Sequence, residues 1–192
     1  MRRIVSKHHK RKTIRRNQLI LGAFLIFVMF GSVLGFALQG GSKNFQEDSS
    51  STITHNGLDF ENINGRWITN INGLNFVFQY NPQLLGNSVQ TTRIINDYSQ
   101  RPLYVNSENL DAESEIFINL GQIASRIQLA CLEGEECLDK TLPTKTCEDN
   151  FISIKIANES GIRQDGNCVF IYGPERSLLR NVDSFLLDIL GT

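Results

Sequence analysis

The chain reads as an α+β protein: an N-terminal transmembrane helix plus one exported two-layer domain of mostly antiparallel sheet with two amphipathic helices. Three features lead there. An uncharged apolar run at 19–38 follows a purely basic tail, short β-favouring runs are punctuated by Asn-Gly, and two apolar stripes recur at helical spacing. Their order is strands, helix, strands, helix, which packs as a sheet with helices on one face.

Residues 19–38, LILGAFLIFVMFGSVLGFAL, carry no charge. A helix rising about 1.5 Å per residue covers about 30 Å over that length, the hydrocarbon thickness of a bilayer. Residues 1–18 hold eight Lys or Arg and no acid. Basic flanks stay cytoplasmic, so the tail is expected inside, with residues 39–192 beyond the membrane and the lipid bilayer as the first partner. A cleaved signal peptide fits less well, since its apolar core would run to about 7–15 residues. Gly31 and Gly35 have the small-xxx-small spacing that lets two helices approach closely, and form a candidate dimer contact.

Beyond the span the charge reverses. All 20 Asp and Glu lie past residue 46, against 11 Lys and Arg after residue 38, so the exported part carries −9. A domain this acidic repels phosphate backbones, and nucleic acid is not expected as a partner. Residues 39–55, rich in Gly, Ser and polar side chains, read as a flexible tether to a domain at 56–192.

Within the domain, residues 58–61, 66–71 and 74–80 form an expected three-stranded meander. Asn64-Gly65 and Asn72-Gly73 separate its strands, and Asn-Gly tolerates the positive φ angles of a tight hairpin. Alternation groups Trp67, Thr69 and Ile71 on one face, and Leu74, Phe76 and Phe78 likewise. Residues 82–100 show no period and read as an irregular excursion, followed by a short strand at 103–105. Helical spacing of Ile116, Leu120, Ile123 and Ile127 predicts a helix over 113–132, weakened at Gly121. Ile152, Ile154 and Ile156 alternate in a strand at 151–156, and Asp165-Gly166 turns the chain into another at 168–172. Pro174 then opens a helix with the stripe Leu178, Leu179, Val182, Phe185, Leu186, Ile189 and Leu190, ended by Gly191.

The four cysteines, Cys131, Cys137, Cys147 and Cys168, all lie in the exported part, which favours two disulfides in an oxidising compartment. Zinc is disfavoured by gaps of five, nine and twenty residues with no His nearby. Of three possible pairings the expected one is Cys131–Cys137, closing a turn, with Cys147–Cys168 joining two strand starts. The second bond requires a further strand at 162–164, so that the strands at 151–156 and 168–172 run parallel. The acids Glu133, Glu135, Glu136 and Asp139 around Cys137 read as a solvated turn rather than a calcium loop. Asp111, Glu113 and Glu115 read as helix-start acids, favoured there by the helix dipole. His55 is a linker residue with no nucleophile assigned to it. Asn158-Glu159-Ser160 is a glycosylation sequon in a turn, with Asn158 the candidate acceptor.

Several stretches carry a resemblance. They are the basic tail running into MFGSVLGF at 29–36, NGLDF at 56–60, INGLNFVF at 71–78 with Asn81-Pro82, and NCVFI at 167–171, followed by Asp183, Phe185-Leu186 and Ile189-Leu190-Gly191. Together they resemble a group of uncharacterised single-pass membrane proteins from small-genome archaea. The resemblance implies an archaeal envelope protein and brings no active site with it.

The expected function is a membrane-anchored extracytoplasmic domain with a structural or protein-interaction role in the cell envelope, its partner an envelope or membrane protein. No catalytic residue, cofactor or metal is assigned. The alternatives are an exported carboxylate-dependent hydrolase using acids from 82–101 and the Cys-rich turn, or an accessory subunit of a secretion or surface-assembly complex. A deep pocket with convergent polar groups favours the hydrolase; an exposed apolar patch favours the interaction role.

Overall fold

The structure is a computed structural model, describing residues 20, 22, 23, 25–29, 51–86, 91–135, 137 and 139–191. Its chain forms two compact units, Met1–Ser49 and Ser50–Thr192. In the first, residues 25–29 are helical, and the apolar side chains of Leu25, Ile26, Phe27, Val28 and Met29 are exposed. The basic tail, the remainder of the expected span with Gly31 and Gly35, and the tether as far as residue 50 lie outside the described residues. Among the described residues no helix is long and apolar enough to cross a membrane.

The second unit opens with an antiparallel meander of four strands, β1 Thr52–His55, β2 Leu58–Ile63, β3 Arg66–Ile71 and β4 Leu74–Phe78. Three Asn-Gly turns fold it. Asn56, Asn64 and Asn72 have φ of 48°, 54° and 53°, and the glycines after them 86°, 82° and 84°. Two successive positive φ angles define the turn whose twist matches its flanking strands, and Asn-Gly is the dipeptide that adopts it at least cost. Strand β1 occupies the end of the expected tether, so the domain begins four residues earlier than the composition suggested. Phe60, Trp67, Thr69, Phe76 and Phe78 are buried on one face of the meander, as the alternation predicts.

Two single-turn 3-10 helices, Pro82–Leu84 and Ile95–Asp97, lie in the excursion that follows. The chain then builds a second sheet from β5 Pro102–Ser107, β6 Arg126–Leu129, β9 Asn150–Ile156, β10 Gly161–Asp165 and β11 Cys168–Gly173, in the order β10-β11-β9-β5-β6. The expected single sheet is thus divided, into these two and a two-stranded pair described below. The β10–β11 hairpin is antiparallel, while β11–β9, β9–β5 and β5–β6 run parallel. Helix α1, Leu110–Leu120, crosses over between β5 and β6, and helix α2, Glu175–Ile189, follows β11.

The helix expected over 113–132 therefore stops at Gly121 and gives way to strand. The same residues satisfy both periods: Ile123 and Ile127 are spaced for a helix, Ile127 and Leu129 for a strand. Pairing decides it, because β6 covers the edge of β5, whose Leu103 and Val105 are fully buried. Asn109 caps α1 by accepting from Ala112 N at 2.9 Å, and Asp111 and Glu113 stand in its first turn as expected.

One apolar cluster runs through the meander, both helices and the near face of the larger sheet. From α2 it includes Leu178, Val182, Phe185, Leu186 and Ile189, with Leu187 buried where the expected stripe had Leu179. The far face of the sheet holds a separate, smaller cluster of Tyr104, Ala130, Leu132, Phe151, Cys168 and Phe170. An arm covers it, made from the two short parallel strands β7 Cys131–Leu132 and β8 Thr144–Lys145.

Both expected disulfides are present. Cys131–Cys137 closes the turn after β7, and Cys147–Cys168 ties the approach to β9 to the start of β11 at a Cα separation of 5.0 Å. Parallel β9 and β11 bring those starts together, with Cys168 opposite Phe151. In space the middle strand is β11, with β10 at the edge.

Candidate functional site

The far face of the five-stranded sheet is only partly covered. Where the arm ends, a cleft of about 330 Å³ opens over the ends of β9, β10 and β11. Register sets its contents. Arg163 on β10 lies opposite Phe170 on β11, and Phe170 opposite Ser153 on β9, so these three form one row across the sheet. The next row holds Gly161, Tyr172 and Lys155. Strand alternation points all of them away from the helices. Gly161 is required there: a Cβ at that position would stand 2.4 Å from the Tyr172 hydroxyl, and its absence lets the ring lie over the backbone.

The chemistry of the cleft is mixed. The guanidinium of Arg163 stacks over Phe170 at 3.9 Å from the ring centre. Lys155 Nζ pairs with Glu135 Oε2, reaching in from the arm, at 2.8 Å. Ser153 is 1% exposed, and its Oγ has no hydrogen-bond partner in the protein. A buried hydroxyl without a partner costs about 1–3 kcal/mol, so this one stands out.

A second polar group lies between the meander and the helices, its two carboxyls buried and its arginine half-buried. Arg66 Nη2 pairs with Glu115 Oε2. Asp183 faces Glu115, and Glu115 Oε1 and Asp183 Oδ1 are both buried with no other partner. Asp183 Oδ2 accepts from Tyr80 N at 2.8 Å. Burial pushes the Asp183 carboxyl up to about 8, and the negative charge of Glu115 adds to the rise. Burial also raises Glu115, against the opposing pull of Arg66. Asp183 therefore carries the proton at neutral pH, and the pair is held together by it. Glu115 and Asp183 are 2% and 0% exposed, so no substrate reaches them. Their role is structural, and Glu115 is a core partner rather than a helix-start acid.

Alongside them Asn119 completes the β4 edge. Its Oδ1 accepts from Val77 N at 2.7 Å and its Nδ2 donates to Val77 O at 2.8 Å. A third cluster pins the excursion to the larger sheet: Arg93 donates to Asn167 Oδ1 at 2.9 Å and to Asn150 Oδ1, and lies over the Tyr98 ring. Burial drives the Tyr98 hydroxyl up to about 12.

Three of the acids open to a hydrolase are committed elsewhere. Asp97 pairs with Arg93 at 3.6 Å, and Glu135 with Lys155. Asp139 is held below the usual carboxylate range by the hydroxyl and backbone N–H of Thr141. Among the described residues no group of three or more His, Cys, Asp or Glu is placed to hold a metal ion. Asn158 is exposed in the β9–β10 turn, where a glycan has room. His55 ends β1 beside Asn56, within the fold rather than the tether.

Ser153, Lys155 and Arg163 escaped sequence reasoning. In sequence they are the polar positions of two alternating strands, and only the insertion of β11 between β9 and β10 assembles them. No family model matches the chain, no curated protein matches it, and no solved structure matches it.

Proposed function

We propose that the chain is a single-pass membrane protein that holds its disulfide-braced α+β domain outside the cytoplasm, in a structural or protein-interaction role in the cell envelope. The observation that carries the reading is the pairing of all four cysteines into two disulfides, chemistry that persists in oxidising compartments. The uncharged run at 19–38 behind eight basic residues supports the anchor, as do the exposed apolar side chains at 25–29. A resemblance to single-pass membrane proteins of small-genome archaea, expected from the stretches at 29–36, 56–60, 71–78 and 167–171, would point the same way. The mechanism is presentation: confinement to a surface raises the domain's effective concentration for partners in the same membrane.

Protease added to intact cells tests it. The C-terminal domain is expected to be cleaved while a cytoplasmic marker survives. A domain that resists until the cells are permeabilised refutes the topology.

A further inference from the structure

The three Asn-Gly turns of the meander share one backbone conformation and differ in the side chains around it, so each is a control for the others. Asn56, Asn64 and Asn72 are all exposed, with φ of 48°, 54° and 53°. Asn-Gly is also the dipeptide most open to ring closure. With no side chain on the glycine, its backbone nitrogen approaches the Cγ of the preceding asparagine unhindered.

In two of the turns that nitrogen is held. The sequence Asn-Ile-Asn-Gly occurs at 62–65 and again at 70–73. Asn62 Oδ1 accepts from Gly65 N at 3.2 Å, and Asn70 Oδ1 accepts from Gly73 N at 3.1 Å. A nitrogen clamped in this way has to give up a hydrogen bond before it can attack. The first turn has no clamp. Thr54 stands in the clamping position, and its hydroxyl is donated to Asp59 Oδ1 at 2.6 Å. Among the described residues nothing accepts from Gly57 N. A second difference lies at the leaving group. Where the other turns have Ile63 and Ile71 ahead of the asparagine, this one has His55, whose Nε2 lies 3.4 Å from Asn56 Nδ2. An imidazole can hand a proton to a departing nitrogen, which an isoleucine cannot.

We infer that Asn56 is a site of self-modification, converted in the folded protein to aspartate and isoaspartate well ahead of Asn64 and Asn72. The Gly57 nitrogen loses its proton to water and bonds to Asn56 Cγ. The Cγ–Nδ2 bond breaks, and ammonia departs with a proton from His55. Water then opens the cyclic imide, giving aspartate by attack at Cγ or isoaspartate by attack at the main-chain carbonyl. One water is consumed and one ammonia released, with no oxidant or reductant. Isoaspartate carries an extra methylene in the main chain of the turn that sets β1 against β2, and β2 is the only strand that pairs with β1. The modification therefore loosens β1, where the chain enters the domain. The inference goes beyond the envelope role above and does not rest on it, because purified protein tests it whatever its topology.

The test is incubation of the full oxidised chain in mild detergent at neutral pH. Peptide mapping by mass spectrometry follows conversion of amide to acid at each turn, and enzymatic methylation of isoaspartate identifies the product. Asn56 is expected to convert about tenfold faster than Asn64 or Asn72, a comparison made on the unmodified sequence with no variant. In urea, which dissolves the clamps, the gap should shrink to about threefold or less. Thr54→Asn installs the clamp and should slow Asn56 about threefold, while Asn62→Ala removes one and should speed Asn64 by about as much. His55→Gln should also slow Asn56 about threefold. Amide exchange at 53–55 should be faster in the isoaspartyl fraction than in fresh protein. The inference is overturned if Asn64 or Asn72 converts as fast as Asn56 in the folded chain, or if the gap is undiminished in urea. It is equally overturned if Thr54→Asn or His55→Gln leaves the Asn56 rate unchanged, or if exchange at 53–55 does not rise.

Discussion

The two faces of the five-stranded sheet are covered by different means. Its inner face meets two amphipathic helices and, through them, the meander, and the apolar cluster there draws on every layer. Its outer face meets a short arm, and the cluster beneath is six buried residues around Tyr104, Phe151 and Phe170. Two-residue strands such as β7 and β8 bury too little to hold themselves down. Both disulfides sit on that side, joining the arm to itself and to the sheet. Where apolar area is ample the fold relies on burial; where it is scarce the fold restricts the unfolded chain instead.

The largest expected effect therefore lies on the inner face. Phe185→Ala empties a fully buried site that meets Tyr98 edge-on at 6.3 Å between ring centres, and should destabilise by about 3–5 kcal/mol in urea denaturation. A loss below about 1 kcal/mol would mean the inner face is not a packed core. Next comes the longer crosslink. Replacing Cys147 and Cys168 together with Ala opens a separation of 21 residues and should cost about 3 kcal/mol by loop entropy. Replacing Cys131 and Cys137, six residues apart, should cost about 2 kcal/mol. The contrast sharpens if hydrogen exchange in those variants rises at 131–147 while α2 stays protected. Equal loosening of α2 would break it.

The last effect is a slope rather than a loss at one pH. The unfolded chain releases the Asp183 proton near pH 4, whereas burial holds it in the folded state to about 8. Between those values the unfolded state binds fewer protons, so stability falls as pH rises through the window, then levels off above it. Asp183→Asn keeps an oxygen for Tyr80 N and an amide to face Glu115, with Arg66 still paired beyond. It should flatten the slope while changing stability at about pH 5 by less than about 1 kcal/mol. Urea midpoints at about pH 5 and pH 8 measure it. An unchanged slope would assign the titration to other groups.

Sequence legibility followed the range of the interactions. The meander was legible because a hairpin with two positive φ angles is a local demand, and Asn-Gly meets it locally. A third copy of that dipeptide, Asn56-Gly57, marks the end of β1 as its neighbours mark theirs, but the polar residues before it give the strand the composition of a tether. The cystine pairing was legible too, since Cys147 and Cys168 meet only if their strands run parallel. The end of α1 was not, because Ile127 serves two periods and only its partner strand chooses between them. Nor was the Arg66–Glu115–Asp183 group, whose members come from β3, α1 and α2 and meet only on packing. The cleft lay furthest out of reach: sheet order, and no local pattern, places β11 between Ser153 and Arg163.

Asn119 has one more consequence. A bare strand border is an invitation to dock a foreign strand, and multiplication of that event produces fibres. By presenting an amide that mimics a peptide unit to Val77, α1 occupies the β4 border with a group too short to be extended. The meander is thereby terminated on that side by its own chain, with Gln122 Nε2 donating to Asn75 O at 3.0 Å beside Asn119, so growth by copying from one molecule to the next is blocked there by two side-chain amides.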